Sequence, residues 1–182
     1  LGRSGSGKST LLNLLCGLDK VTSGELRVGN DQLNESNSKK LAKYRSKIGI
    51  IFQFYNLLPN LNTVENVMMG SWAGGKSVSR QKAIDLLNKF SLGHRIKADV
   101  KTLSGGEKQR VAICRALIGE PEILFCDEPT GALDTGSENQ VKDILADLNK
   151  SGLTIVMVTH NPDFAGIADN TINMSDGEIT NR

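Results

Sequence analysis

The run Gly2-Arg3-Ser4-Gly5-Ser6-Gly7-Lys8-Ser9, continued by Thr10, fits the pattern G-x-x-x-x-G-K-[ST] without a mismatch. That spacing belongs to a phosphate-binding loop. The glycines let the backbone turn tightly enough for successive N–H groups to converge on phosphate oxygens. Lys8 can reach the β- and γ-phosphates, and the Ser9 hydroxyl can ligate Mg2+. Residues Ser9 to Leu15 then read as a helix whose positive N-terminal end faces the phosphates. An ordinary Gly/Ser turn before a helix is the bland alternative, and the complete pattern makes it the poorer one.

Two further groups carry chemistry. The apolar run Ile123-Leu124-Phe125-Cys126 ends in Asp127-Glu128. A strand that delivers acids to its C-terminal edge suits the second Mg2+-handling element of a nucleotide hydrolase. Asp127 would hold the metal through water. Glu128, one residue further, could orient and deprotonate an attacking water. In Leu103-Ser104-Gly105-Gly106-Glu107-Lys108-Gln109-Arg110, Ser104 and Glu107 have the spacing of a capping box. The glycines beside them leave bare N–H groups at a helix start, which is an anion site.

These residues need a scaffold, and the remaining sequence supplies one. Ile48–Phe52, Ile123–Cys126 and Ile155–Val158 are short, nearly continuous apolar runs, as expected of parallel strands covered on both faces. Ala83, Leu86, Leu87 and Phe90 recur at helical spacing, as do Val141, Ile144, Leu145 and Leu148. Alternating strands and helices predict an α/β domain with a parallel sheet. The stretch between Phe52 and Ile123 reads as helices and loops, with a Gly/Ser-rich break at Ser71-Trp72-Ala73-Gly74-Gly75. Residues 1–53 and 119–182 are expected to form the α/β core, and 54–118 an inserted helical subdomain. Thr171–Met174, the Asp176-Gly177 turn and Ile179 predict a terminal hairpin.

Composition narrows the function classes. A net charge of +2, with no long basic run, gives no case for a nucleic-acid surface. No apolar stretch approaches the roughly 20 residues of a membrane span. Cys16, Cys114 and Cys126 form no C-x-x-C pair and sit in apolar patterns, so they read as buried reduced thiols. A phosphate loop leaves a β-strand, and here it begins at residue 2 with no apolar run before it. The sequence is therefore expected to lack the strand that delivers its loop.

Leu103–Arg110 resembles the signature motif of ATP-binding cassette (ABC) ATPases, and the other motifs of that family lie in order around it. Gln53 ends the first apolar run, where the family has its glutamine loop. Ile123–Glu128 matches the acidic strand, Ala132-Leu133-Asp134 the aspartate loop, and His160 the switch histidine. The resemblance spans essentially the whole chain. It implies a phosphate-loop NTPase, RecA-like core with a helical insertion, and a head-to-tail dimer that buries two ATP molecules with Mg2+. Gly2–Thr10 of one copy would hold the phosphates. Ser104, Gly105 and Gly106 of the other would close over the γ-phosphate. Glu128 would be the general base, and His160 would hold the γ-phosphate. Gln53 would contact Mg2+ together with Ser9 and Asp127, and Asp134 would communicate across the dimer. His94 lacks such context and reads as a solvated loop residue.

Phe52–Pro59, Thr63–Val67 and Glu128–Asp134 look like the bacterial subgroup that powers lipoprotein release, macrolide export and antimicrobial-peptide resistance, with a cell-division relative. That resemblance implies an ATPase working with a separate integral membrane permease subunit at the cytoplasmic face of the plasma membrane. Non-transport ABC ATPases of the cell-division, DNA-repair or translation type are the alternative, and an ATP-binding scaffold without turnover is a third. No sustained heptads separate Lys8 from Leu103, only one cassette is visible, and Lys8, Asp127, Glu128 and His160 are all present. These points favour the transport ATPase. The family's upstream strands and its adenine-stacking aromatic residue are absent from the sequence. Cys114 stands where a small Ala is common. Phe54, Tyr55, Leu57, Leu58 and Leu61 crowd the loop after Gln53, either as internal packing or as a docking groove for a partner helix.

Overall fold

The computed structural model describes residues 1–34, 37–72, 75 and 77–180. In chain order the elements are α1 (Lys8–Leu15), β1 (Arg27–Val28), β2 (Asp31–Gln32), α2 (Ser38–Arg45), β3 (Ile48–Ile51), α3 (Thr63–Trp72), α4 (Arg80–Lys89), α5 (Gly105–Leu117), β4 (Ile123–Asp127), α6 (Thr135–Lys150), β5 (Thr154–Val158), β6 (Asn173–Ser175) and β7 (Glu178–Thr180). The three apolar runs form one parallel sheet in the order β3-β4-β5, with Ile51 opposite Cys126 and Cys126 opposite Met157. The central strand β4 is the most continuously apolar and the most buried, because helices cover both of its faces.

The helices divide between those faces. Leu12 and Cys16 of the α1 segment pack with Phe125 and Val158 on one side. Residues of α3, α4, α5 and α6 join Ile51, Leu124 and Cys126 in a single apolar cluster on the other. Helix α5 packs on β3 and α6 as well as on α3 and α4, so it links the helical stretch to the sheet. The predicted terminal hairpin is β6–β7, turned at Asp176 and Gly177, both with positive φ. Leu1 lies beside β6: its amino group donates to Ile172 O at 2.7 Å, and Met174 N donates to Leu1 O at 2.8 Å. The expected Gly/Ser break falls partly on Ala73 and Gly74, which lie outside the described residues, while Ser71 and Trp72 complete α3.

The β1–β2 hairpin and α2 have no counterpart among the predicted elements. Each strand of the hairpin is two residues long, too short for alternation to register. Half of the α2 residues are charged and the helix buries only Tyr44, whose hydroxyl donates to Leu15 O at 2.5 Å. All three cysteines are buried and free. Burial pushes the Cys16 thiol up to about 12 and raises Cys114 and Cys126 as well, so all three are chemically quiet. Cys114 fits its site as a small apolar residue.

The crossing of α3 and α5 depends on Gly70, because a methyl group there would lie 1.9 Å from Arg115 O. Helix propensity alone would favour alanine by about 1 kcal/mol. Overpacking against fixed backbone costs about 1–3 kcal/mol or more and outweighs it. Gly70→Ala is therefore expected to lower the denaturant midpoint at unchanged slope. A midpoint at or above that of the parent would show that the two helices separate without cost.

Candidate functional site

Parallel strands end on a common edge, and this edge gathers the candidate site residues. Gln53 follows β3, Asp127 ends β4 with Glu128 next, and Thr159 and His160 follow β5. The loop at Gly2–Gly7 borders the same edge through α1. Within it Gly5 and Gly7 have φ of +82° and +89°, values only glycine adopts without strain, and Gly7 caps α1. Arg3, Ser4, Ser9 and Thr10 are exposed along the loop. The Lys8 side chain is only 7% exposed and folds back over the loop. Its Nζ donates to Gly2 O at 2.7 Å and to Arg3 O at 2.9 Å. Ser6 Oγ is buried without a hydrogen-bond partner among the described residues.

Ser9 Oγ donates to Asp127 Oδ1 at 2.9 Å. Two hard oxygen atoms from distant parts of the chain thus meet beside the loop. A small divalent cation such as Mg2+ takes oxygen ligands and phosphate oxygens, so this pair suits it. Gln53 is half-buried, and its Nε2 lies 3.8 Å from where a Cβ on Gly131 would be, over the turn that follows Glu128.

Glu128 has a φ of 44°, which is unusual for a residue with a side chain. Its backbone is pinned there: its N–H donates to Val158 O at 2.9 Å, and its own carbonyl accepts from Gly131 N at 3.1 Å. The carboxylate is 12% exposed and asymmetrically held. Oε2 accepts from Thr159 Oγ1 at 3.1 Å and His160 N at 3.3 Å, and lies 2.9 Å from His160 Nδ1. Every one of these contacts falls on Oε2, so Oε1 has no hydrogen-bond partner among the described residues and keeps its lone pairs as acceptors. The His160 ring is 65% exposed and therefore accessible to a ligand.

The Ser104 segment is built as its spacing predicts. Ser104 Oγ accepts from Glu107 N at 3.2 Å, and Glu107 Oε2 accepts from Ser104 N at 2.9 Å, completing the capping box of α5. Burial pushes the Glu107 carboxyl up, but the Ser104 N–H and the Arg95 guanidinium outweigh it and hold it below the usual range. Arg95 Nε donates to Glu107 Oε1 at 2.8 Å, and His94 Nε2 lies 3.6 Å from the same oxygen. The His94 side chain is nonetheless 65% exposed, in keeping with its reading as a solvated loop residue. The 3-10 turn at 93–95 swings it back over the capping carboxylate. Residues 104–106 make no hydrogen bond to the phosphate loop among the described residues. Their neighbours are Tyr55, Leu133 and Ser137. Asp134 caps α6, accepting from Ser137 N at 3.0 Å and Ser137 Oγ at 2.8 Å, and these bonds hold its carboxyl below the usual range.

Several residues that hold the site were not singled out by sequence. Thr159 binds Glu128 directly; its place beside His160 was the available signal. Gln109 is fully buried on α5 and donates to Pro129 O at 2.5 Å, just past Glu128. Arg115 donates to Tyr55 O at 2.6 Å and to Asn56 O at 2.5 Å, where both residues have positive φ. Tyr55 OH in turn donates to Ala132 O at 3.2 Å. The loop after Gln53 is therefore tied to α5 and to the Asp134 segment. Within that loop Leu57 packs on the core, whereas Phe54 is 72% and Leu58 42% exposed.

A sequence profile described as ABC transporter matches residues 1–131. The lipoprotein-releasing system ATP-binding protein LolD of Syntrophus aciditrophicus is 45% identical over 183 aligned residues, covering 98% of this chain and 82% of that protein. The macrolide export ATP-binding/permease protein MacB of Mannheimia succiniciproducens is 46% identical over 98% of this chain, which corresponds to 28% of that longer protein. Among solved structures, a dimeric post-hydrolysis state of the ATP-binding cassette MJ0796 bound to ADP and Pi superposes with a TM-score of 0.89. It is 38% identical, and the match covers 99% of this chain and 81% of that one.

Proposed function

The chain belongs to the ABC transporter family, and from that premise we infer how its sheet edge performs the family's ATP hydrolysis. The protein is the ATP-hydrolysing subunit of a transporter, acting as a dimer with a membrane partner. The convergence of Ser9, Asp127 and Glu128 at one edge carries the reading. Gly2–Thr10 cradles the phosphates with backbone N–H groups, and Lys8 leaves its carbonyl partners to meet them. Ser9 and Gln53, with Asp127 through water, would hold Mg2+, which neutralises charge on the phosphate oxygens. Glu128 Oε1 accepts the proton of the attacking water, and Thr159 and His160 fix the carboxylate through Oε2. The exposed His160 ring reaches the γ-phosphate. Ser104, Gly105 and Gly106 bring the N-terminus of α5 to the site of the opposite copy, and Asp134 lies next to that contact.

No helix among the described residues is long and apolar enough to cross a membrane. We place the protein peripherally at the cytoplasmic face of a bacterial plasma membrane, docked through the loop after Gln53. Phe54 and Leu58 present apolar surface there, and an exposed apolar patch marks a contact site. Asn66 is fully buried and shapes the loop, with Oδ1 accepting from Leu58 N at 2.7 Å and Nδ2 donating to Leu58 O at 3.1 Å and to Leu61 O at 3.0 Å.

In the full-length protein, Phe54→Asp or Leu58→Asp is expected to abolish co-purification with the membrane subunit while Mg·ATP affinity stays at the parent value. Leu57→Asp serves as the contrast, since it places a charge against the core cluster and should cost folding instead. Undiminished partner binding by both surface variants would reject the docking face. Absence of Mg2+-dependent ATP hydrolysis in the parent would reject the enzymatic reading.

A further inference from the structure

Glu138 lies on α6, four residues after the Asp134 cap, and has no part in the chemistry described above. Its Oε1 accepts two hydrogen bonds, from Thr130 Oγ1 at 3.1 Å and from Asn161 Nδ2 at 2.5 Å. The donors come from the two segments that carry the reacting groups: Thr130 follows Glu128 by two residues, and Asn161 directly follows His160. The circuit closes through Thr159. Its hydroxyl accepts from Asn161 N at 3.0 Å and donates to Glu128 Oε2 at 3.1 Å. Asn161 Oδ1 is also engaged, accepting from Asp163 N at 2.9 Å, so the orientation of its amide is set from both ends. Thr130 and Thr159 are both buried, so water cannot readily replace these bonds.

We propose that Glu138 is a positioning residue for ATP hydrolysis: one carboxylate oxygen joins the Glu128 turn to the His160 segment and keeps Glu128 Oε1 aimed at the attacking water. The proposal rests on the reading of Glu128 as the base. It also gives α6 a mechanical role. Asp134 caps the helix that carries Glu138, so a displacement of the Asp134 segment reaches the base through one turn of rigid backbone. The positioning acts on the chemical step and not on nucleotide affinity, because among the described residues Glu138 makes no hydrogen bond to the phosphate loop or Lys8.

The test uses the full-length protein with its membrane partner. Glu138→Ala is expected to lower kcat by about 10- to 100-fold, the scale on which a misplaced catalytic group loses rate. KM for ATP should stay within about twofold. Glu138→Gln keeps an oxygen acceptor for both donors and should recover most of kcat, although the charge is gone. In a Glu128→Gln background, Glu138→Ala should remove no further rate, since residues acting as a unit are not additive. A merely structural role predicts instead that both Glu138 variants track thermal stability, and that result would overturn the proposal. Parent-level kcat in Glu138→Ala beside an inactive Glu128→Gln overturns the positioning role alone. A folded Glu138→Gln with no recovery overturns it as well. A fully active Glu128→Gln overturns both this proposal and the base assignment.

Discussion

Glu128→Gln is expected to lower ATP turnover by about 100- to 10,000-fold, the range that a positioned general base contributes, while ATP binding persists. The amide keeps the size of the carboxylate and its place after β4. It can still accept from Thr159 Oγ1 and His160 N, the partners that hold Oε2 at 3.1 and 3.3 Å. What it cannot do is take a proton from water. The φ of 44° at this residue points the same way. A side-chain residue in the left-handed region costs of order 1–3 kcal/mol and persists only where its surroundings impose it. Here the bonds to Val158 and Gly131 impose it. Single-turnover hydrolysis together with equilibrium nucleotide binding is the measurement. Normal turnover in Glu128→Gln would remove the base assignment, and weak binding with it would indicate a damaged edge.

Lys8→Ala is expected to weaken ATP binding by about 10- to 100-fold, equivalent to one lost charge-assisted hydrogen bond of roughly 1.5–3 kcal/mol. The Lys8 amine is held against Gly2 O and Arg3 O, in the centre of the loop and close to where phosphates would sit. A head-to-tail arrangement would make the result sharper. Each site would combine the phosphate loop of one copy with Ser104 of the other. At ATP concentrations near the parent KM, a Lys8→Ala copy and a Ser104→Arg copy should each be nearly inactive alone. Mixed, they form dimers in which one site carries both lesions and the other carries neither. Hydrolysis regained on mixing is the expected outcome. No recovery, with mixed dimers demonstrated by differential tags, would mean that Ser104 does not act across the interface.

The legible parts of this protein share one property: each is written in residues close together in the chain. The phosphate loop lies within eight consecutive positions, Gly2–Ser9. The capping box needs Ser104 and Glu107, and the β4 edge needs an apolar run ended by two acids. Short-range steric and hydrogen-bond preferences suffice for these. Where local patterning was weak, the elements went unseen. Helix α2 buries little besides Tyr44, and β1 and β2 are too short to alternate.

Side-chain partnerships between distant segments were decided elsewhere. Nothing near His94 marks its approach to Glu107, and nothing near Arg115 marks its capture of the Tyr55 and Asn56 carbonyls. Leu57 and Leu58 are chemically alike neighbours, yet one packs on the core and the other faces out. The residue types and their order along the chain thus determined the phosphate chemistry, the parallel strands and the acids at their ends, because these follow from local backbone and burial preferences. Tertiary structure alone decided that the contacts of Glu128 among the described residues fall on one oxygen, and that Glu138 joins the Glu128 turn to the His160 segment. Those outcomes depend on where β4, β5 and α6 come to lie against one another in space, which no short stretch of sequence encodes.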